Sequence, residues 1–256
     1  MKIKNILVSQ PQPPDLEKSP YGELISKFGL NIVFEKFIKV EGVSAQEFRR
    51  AKGSFVGHTA IILTSRHAVD HFFRMAKELR FDIPDSLKYF CISESTAYYL
   101  QKYVQYRKRK IFYGKQTFPD LLEVISKHSE EKFLLPSSDV HKKSMFDMLD
   151  KEGIDYTNAV IYRTVAADLT HIDPKKFDLV IFFSPAGITS LLSNFPDYDQ
   201  ENQLIAAFGA TTATAVKTAG FHLNIPAPTQ TAPSMTMAIE EYLCNKEKER
   251  RRNNRK

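Results

Sequence analysis

Residues 178–192, Asp-Leu-Val-Ile-Phe-Phe-Ser-Pro-Ala-Gly-Ile-Thr-Ser-Leu-Leu, constrain this chain more than any other stretch. They open as an unbroken apolar run, long enough for one strand buried on both faces. Ser184, Pro185 and Gly187 break the run, and Ile188, Leu191, Leu192 and Phe195 resume it at helical spacing. A buried strand, a tight turn and a helix therefore follow one another, with the first helical N–H groups pointing into the turn. Such a turn suits an anion.

The stretch has an echo. Ala60-Ile-Ile-Leu-Thr-Ser65-Arg-His-Ala68-Val-Asp-His-Phe-Phe73 repeats it at a shift of 119, with Ser65 under Ser184 and Ala68 under Gly187. At a shift of 116, Tyr89-Phe-Cys-Ile-Ser93-Glu-Ser-Thr96-Ala97 lies under Ile205-Ala-Ala-Phe-Gly209-Ala-Thr-Thr212-Ala213. A weaker match sets Leu24-Ile-Ser-Lys-Phe-Gly29 against Met148-Leu-Asp-Lys-Glu-Gly153. Either a duplication or the common grammar of βα units produces such matches.

Strand patterns fall at 3–8, 31–37, 60–64, 89–92, 110–113, 132–135, 157–162, 178–183, 204–208 and 222–225. Helical patterns separate most of them, which argues for α/β architecture with parallel sheets covered on both faces. Ten strands exceed one comfortable open sheet in 256 residues. Two domains are predicted: a discontinuous one from 1–40 plus 167–245, and one inserted into it at 45–163. Two crossings, near residues 42 and 166, link them. Ligands of such sheets bind beyond the carboxyl ends of the strands, so two such edges would face each other across a cleft.

The net charge of +6 invites a nucleic-acid reading, but its distribution argues against one. Residues 246–256 hold seven basic and two acidic side chains, leaving the remaining body near neutral. They are predicted to form a basic, disordered tail. Arg107-Lys-Arg-Lys110 is the basic run within the body, without interleaved aromatics or a reader motif, so no nucleic-acid partner is expected. No window reads as a membrane span, and the N-terminus does not read as a signal peptide. Cys91 and Cys244 stand far apart in apolar contexts, which points away from a disulfide or zinc framework and towards a reducing cytoplasm.

Small hydroxylic residues gather at the predicted carboxyl edges: Thr64, Ser65, Ser93, Thr96, Ser137, Ser138, Ser184, Thr211 and Thr212. Taken singly, each reads as a helix cap. Taken together on both halves, they suit carboxylates or phosphates gripped by hydroxyls and backbone N–H groups. No G-x-G-x-x-G follows a strand, and no P-loop or G-x-S-x-G elbow occurs. His67-Ala-Val-Asp-His71 superficially resembles a metalloprotease helix. Its acidic residue is Asp rather than Glu and no third ligand is near, so it reads as a surface pair and no metal is expected. His58, His128, His141, His171 and His222 lie apart, without ligand spacing. Tyr162 ends an apolar strand where the chain leaves the inserted domain. It reads as a half-buried boundary residue or, on the cleft reading, as a phenol able to donate a proton.

Several stretches, in order along the chain, resemble the uroporphyrinogen-III synthase family. They are Leu63-Thr-Ser65 with Ala68-Val69, Ile161-Tyr-Arg-Thr164, Phe182-Phe-Ser-Pro-Ala-Gly187, Ala206-Ala-Phe-Gly-Ala-Thr-Thr-Ala213 and Pro226-Ala-Pro-Thr229. Three places depart from the family pattern. Ser9-Gln10-Pro11 replaces Thr-Arg-Pro, Ser93 stands at a usual glycine, and Arg66-His67 replaces a Pro-containing turn.

The resemblance implies two flavodoxin-like domains and a cofactor-free cyclase acting on a linear tetrapyrrole, hydroxymethylbilane. Its hydroxyl would leave to give an azafulvene, which closes through a spiro intermediate that inverts ring D. On that basis Tyr162 is the assisting acid. The hydroxylic set, joined by Pro185, Ala186, Gly187 and Gly209 of the matching motifs, holds the substrate. The implied protein is a cytoplasmic monomer that needs no cofactor and can contact hydroxymethylbilane synthase transiently. A non-catalytic two-domain protein that binds a small anionic metabolite is the competing reading, and it has no need of Tyr162.

Overall fold

The computed structural model describes residues 3–140 and 143–253. His141 therefore lies outside the described residues, as does the end of the predicted tail, 254–256. The chain opens with β1 (Asn5–Val8), α1 (Pro20–Phe28), β2 (Asn31–Phe34) and β3 (Ile38–Gly42). Next come α2 (Ala45–Arg50), β4 (Ala60–Leu63), α3 (Arg66–Leu79), β5 (Lys88–Cys91), α4 (Glu94–Leu100) and β6 (Ile111–Tyr113). Then follow α5 (Phe118–Ile125), β7 (Phe133–Ser138), α6 (Lys143–Lys151) and the long β8 (Tyr156–Ala166). The chain closes with β9 (Leu179–Phe182), α7 (Pro185–Asn194), β10 (Leu204–Phe208), α8 (Ala210–Thr218), β11 (Ile225–Ala227) and α9 (Met235–Asn253).

Two compact units result, Met1–Lys39 with Val165–Lys256, and Val40–Thr164. The first holds a five-stranded sheet in the order β11-β10-β9-β1-β2, every pair parallel. Counted along its own chain this is 2-1-3-4-5, the flavodoxin-like order. The second sheet runs β3-β8-β7-β4-β5-β6. Its parallel core matches the first sheet strand for strand when β4 is set on β9, β5 on β10, β6 on β11, β7 on β1 and β8 on β2. The two units thus share one strand order, entered by the chain at different strands. The three sequence echoes follow that mapping, pairing β4–α3 with β9–α7, β5–α4 with β10–α8, and α6 with α1. Gly29 and Gly153 end α1 and α6 at φ of 64° and 65°, the left-handed conformation that glycine adopts without a side-chain clash.

Both sheets are covered on both faces, because adjacent strand residues point to opposite sides. In the first unit, Ile6, Val8, Leu179 and Ile181 pack with Leu24 of α1 and Ile239 of α9. Leu7, Val180 and Phe182 pack with Ile188 and Leu191 of α7 and Val216 of α8. In the second, Ile61 and Leu63 meet Val69 and Phe72 of α3, while Ala60 and Ile62 share a cluster with Leu121 of α5 and Leu149 of α6.

The crossings near residues 42 and 166 are made by strands: β3 lies beside β8, and β8 continues to Ala166. Exposed Lys39 and Glu41 alternate with half-buried Ile38 and Val40, so the sequence signal of this edge strand is diluted by charge. The last strand forms at Ile225–Ala227 rather than 222–225. The Gln200 side chain holds the earlier residues as a loop, accepting from His222 N–H at 2.6 Å and donating to the His222 carbonyl at 2.9 Å. Finally, residues 246–253 of the predicted disordered tail continue α9, whose Glu, Lys and Arg side chains favour helix.

Candidate functional site

The strand order reverses between β1 and β9 in the first unit, and between β7 and β4 in the second. In doubly wound sheets the crevice beyond the strand ends at such a point receives the ligand. Hydroxyl side chains stand at both: Ser9 and Ser184 in the first unit, Thr64, Ser65, Ser137 and Ser138 in the second.

In the first unit, Ser184 caps α7, its Oγ accepting from Gly187 N–H at 3.3 Å. Pro185 and Ala186 form the first turn. A Cβ on Gly187 would lie at ordinary contact distances, 3.6 Å from Ser9 Oγ and 3.4 Å from Phe182, so the turn runs beside Ser9. Gly209 precedes α8 at φ 88°, ψ 149° with no side-chain cap, and its backbone suits glycine alone. The opening N–H groups of α8 therefore have no side-chain oxygen on them. Thr212 is buried in that first turn. Thr211 is exposed and lines, with Pro185, an open hollow between α7 and α8.

In the second unit, Thr64, Ser137, Ser138 and Tyr162 line one cavity of about 560 Å³, completed by Thr117 and Met145. Ser137 Oγ donates to Asn158 at 2.6 Å, and Ser138 Oγ to Asp139 at 2.8 Å. Ser138 and Thr164 N–H both donate to Asp139, and such bonds hold its carboxyl below the usual range against the opposing effect of burial. Ser65 caps α3, accepting from Ala68 N–H at 3.0 Å. Ser93 and Thr96 lie outside the cavity; they bond each other at 3.2 Å, and Ser93 caps α4.

Tyr162 does not end its strand. A register shift pairs Ser137 with Val160 but Ser138 with Tyr162, so Ile161 is skipped and β8 runs on. Such an irregularity re-aims the side chain that follows it. Tyr162 is 8% exposed, and burial raises its pKa above the usual 10.0 while the Ser65 hydroxyl opposes the rise. The phenol is therefore held protonated at neutral pH. His71 is also misread as a surface residue: it is half-buried, its ring stacked on Tyr162.

The hydroxylic pattern missed Gln116, Thr117, Phe118, Ser144 and Met145 of the cavity wall. Thr117-Phe-Pro-Asp120 was the available signal, since it forms a capping box at the start of α5. Among the described residues, no three His, Cys, Asp or Glu side chains are grouped to hold a metal ion. Burial pushes the Cys91 thiol up to about 12, far from a nucleophile's range. No helix among the described residues is long and apolar enough to cross a membrane.

The sequence profile of uroporphyrinogen-III synthase HemD matches residues 19–237, which span both units. The chain belongs to that family. The crystal structure of uroporphyrinogen-III synthetase from Helicobacter pylori shares the fold, with 21% identity and a TM-score of 0.57. That match covers 94% of this chain and 99% of the other. A mutant uroporphyrinogen III synthase from Thermus thermophilus matches over 94% and 99% of the two chains, at 16% identity and a TM-score of 0.47. No protein of curated function matches significantly. Members of the uroporphyrinogen-III synthase family are enzymes that act on a tetrapyrrole.

Proposed function

We propose that this protein closes hydroxymethylbilane, with loss of water and inversion of ring D, to give uroporphyrinogen III. One observation carries the reading: the family match runs through both units and takes in Tyr162 and the openings of α7 and α8. The chemistry asks for a weak acid beside the departing hydroxyl, for donors to carboxylates, and for a shape that directs closure. Tyr162 fits the first need, since its buried phenol keeps its proton at neutral pH. Protonation lets the bilane hydroxyl leave as water, the electron pair of the pyrrole nitrogen forming an azafulvenium that becomes the azafulvene on loss of its N–H proton. The uncapped N–H groups opening α8 after Gly209, at Ala210–Thr212, suit the substrate's acetate and propionate groups, and the reading adds to them the Ser184-Pro185-Ala186-Gly187 turn and the hydroxyls of Thr64, Ser65, Ser93, Thr96, Ser137 and Ser138. The same reading takes the protein as a cytoplasmic monomer receiving its labile substrate from hydroxymethylbilane synthase.

The test supplies the purified chain with freshly generated hydroxymethylbilane and resolves the oxidised products. Isomer III is expected from the protein and isomer I from the blank. Tyr162→Phe is expected to lower kcat by roughly a hundredfold, the lower end of what a positioned acid contributes, with KM little changed. Isomer I at the blank rate from the unaltered chain would overturn the reading.

A further inference from the structure

The side of α3 that faces β8 carries a connected set of groups around Tyr162. The His71 ring lies on the Tyr162 ring, centroids 5.1 Å apart and planes 17° apart. His71 Nδ1 accepts from Arg74 Nε at 3.1 Å, which leaves the proton of the neutral imidazole on Nε2. The same guanidinium donates to the carbonyl oxygens of Val43 and Ile161, each at 2.9 Å. Its remaining nitrogen pairs with Glu78 at 2.5 Å. Ile161 is the residue passed over by the register shift, immediately before Tyr162. Its carbonyl also accepts from Val43 N–H at 3.0 Å. Gly42 leaves the room for this arrangement, because a Cβ there would stand 2.6 Å from Arg74 Cζ.

Arg74 therefore grips Tyr162 from two directions: the backbone through Ile161 and the ring through His71. A planar fork of fixed donors suits this task, and a lysine ammonium does not reproduce it. Stacking on His71 fixes the plane of the phenol. The charged and titratable groups around His71 are His67, Asp70, Arg74 and Glu78 of α3 and Tyr162 of β8. Burial comes first in lowering the His71 pKa, with Arg74 and His67 next, so a neutral ring rests on the phenol.

We propose that Arg74 is a positioning residue for the cyclisation, fixing the Tyr162 phenol through His71 and the Ile161 carbonyl. The inference rests on the assignment of Tyr162 as the proton donor. Arg74→Met, His71→Phe and Tyr162→Phe, singly and combined, are to be assayed for isomer III. Arg74→Met is expected to lower kcat roughly tenfold with KM little changed, as a small misplacement of a reacting group does. His71→Phe, which keeps an aromatic face on the phenol, is expected to retain most of the rate. In the Tyr162→Phe background, Arg74→Met is expected to cost nothing further, because the group it positions is gone. An undiminished loss in that background would overturn the proposal.

Arg74→Lys, a milder change, is paired with a readout that needs no turnover. The nitrogen NMR shifts of His71 in the unaltered chain are expected to show a bare, accepting Nδ1 and a protonated Nε2, a signature that Arg74→Lys removes. A proton on Nδ1 in the unaltered chain would overturn the proposal. Isomer I alone from the unaltered chain would overturn the cyclase reading itself, and the nitrogen shifts would still decide whether Arg74 holds the His71–Tyr162 pair.

Discussion

At corresponding places in the shared strand order, the two units start their helices in different ways. In the second unit Ser93, at φ −152°, turns its hydroxyl back onto α4. In the first, Gly209 at φ 88° opens α8 with no side chain over its N–H groups. Ser65 and Ser184 cap α3 and α7 alike. One strand order thus fixes where donors stand, and a single residue per helix decides whether they serve the fold or remain open to a ligand. The first unit leaves the donors opening α8 uncapped, while the second builds a cavity with the Tyr162 phenol at its wall.

The comparison can be broken most strongly in the core. Phe182 is fully buried, packs edge-to-face on Phe37 at 5.9 Å, and matches Leu63 at the shift of 119. Phe182→Ala is expected to cost about 3–5 kcal/mol. Amide exchange should then lose protection in β1, β9 and β10 while β4 and β5 keep theirs. Loss in both sheets would show that the units do not fold as separate bodies.

A smaller effect sharpens the contrast at the helix starts. Gly209→Ala is expected to cost ~1–3 kcal/mol, because its backbone lies in a region that suits glycine alone. No atom lies within 4 Å of the added Cβ, so strain is the whole cost. Ser93→Gly, the reciprocal change, is expected to cost only a few tenths of a kcal/mol, about the loss from replacing a cap by glycine. Thermal unfolding of the two variants measures both, and equal shifts would erase the distinction.

The smallest effect concerns pH. His71 has a folded pKa below the usual 6.5, so the unfolded chain takes up its proton first as pH falls. Its contribution to stability is therefore complete above pH 6.5 and is lost as pH falls through the lower, folded value. The first unit has no counterpart at this place, where Ser190 takes the corresponding position at the shift of 119. The denaturation midpoint of the second unit is expected to decline with acid over that range, and His71→Phe to flatten the decline.

Much of this was legible in the sequence because it rests on close neighbours along the chain. The run 178–192 and its echoes marked the buried strands, and their order matched the family that the profile later confirmed. Ser65 and Ser184 were readable as caps because a cap and the amide it holds are three residues apart. β3 was not readable, since its alternation is carried by Lys39 and Glu41 and has meaning only beside β8. His71 was misread because its spacing from His67 gave no hint of an aromatic partner on a distant strand.

The sequence by itself determined the α/β class, the parallel sheets covered on both faces and the family, since periodicity and turn residues act locally. Tertiary structure alone decided that the two sheets share one order through different entry points. It also decided that the register shift at Ile161 turns Tyr162 towards Ser138, and that Arg74 reaches Ile161 across 87 positions of chain. Strand pairing and side-chain partners of that kind depend on which distant surfaces bury each other. No local period records that choice.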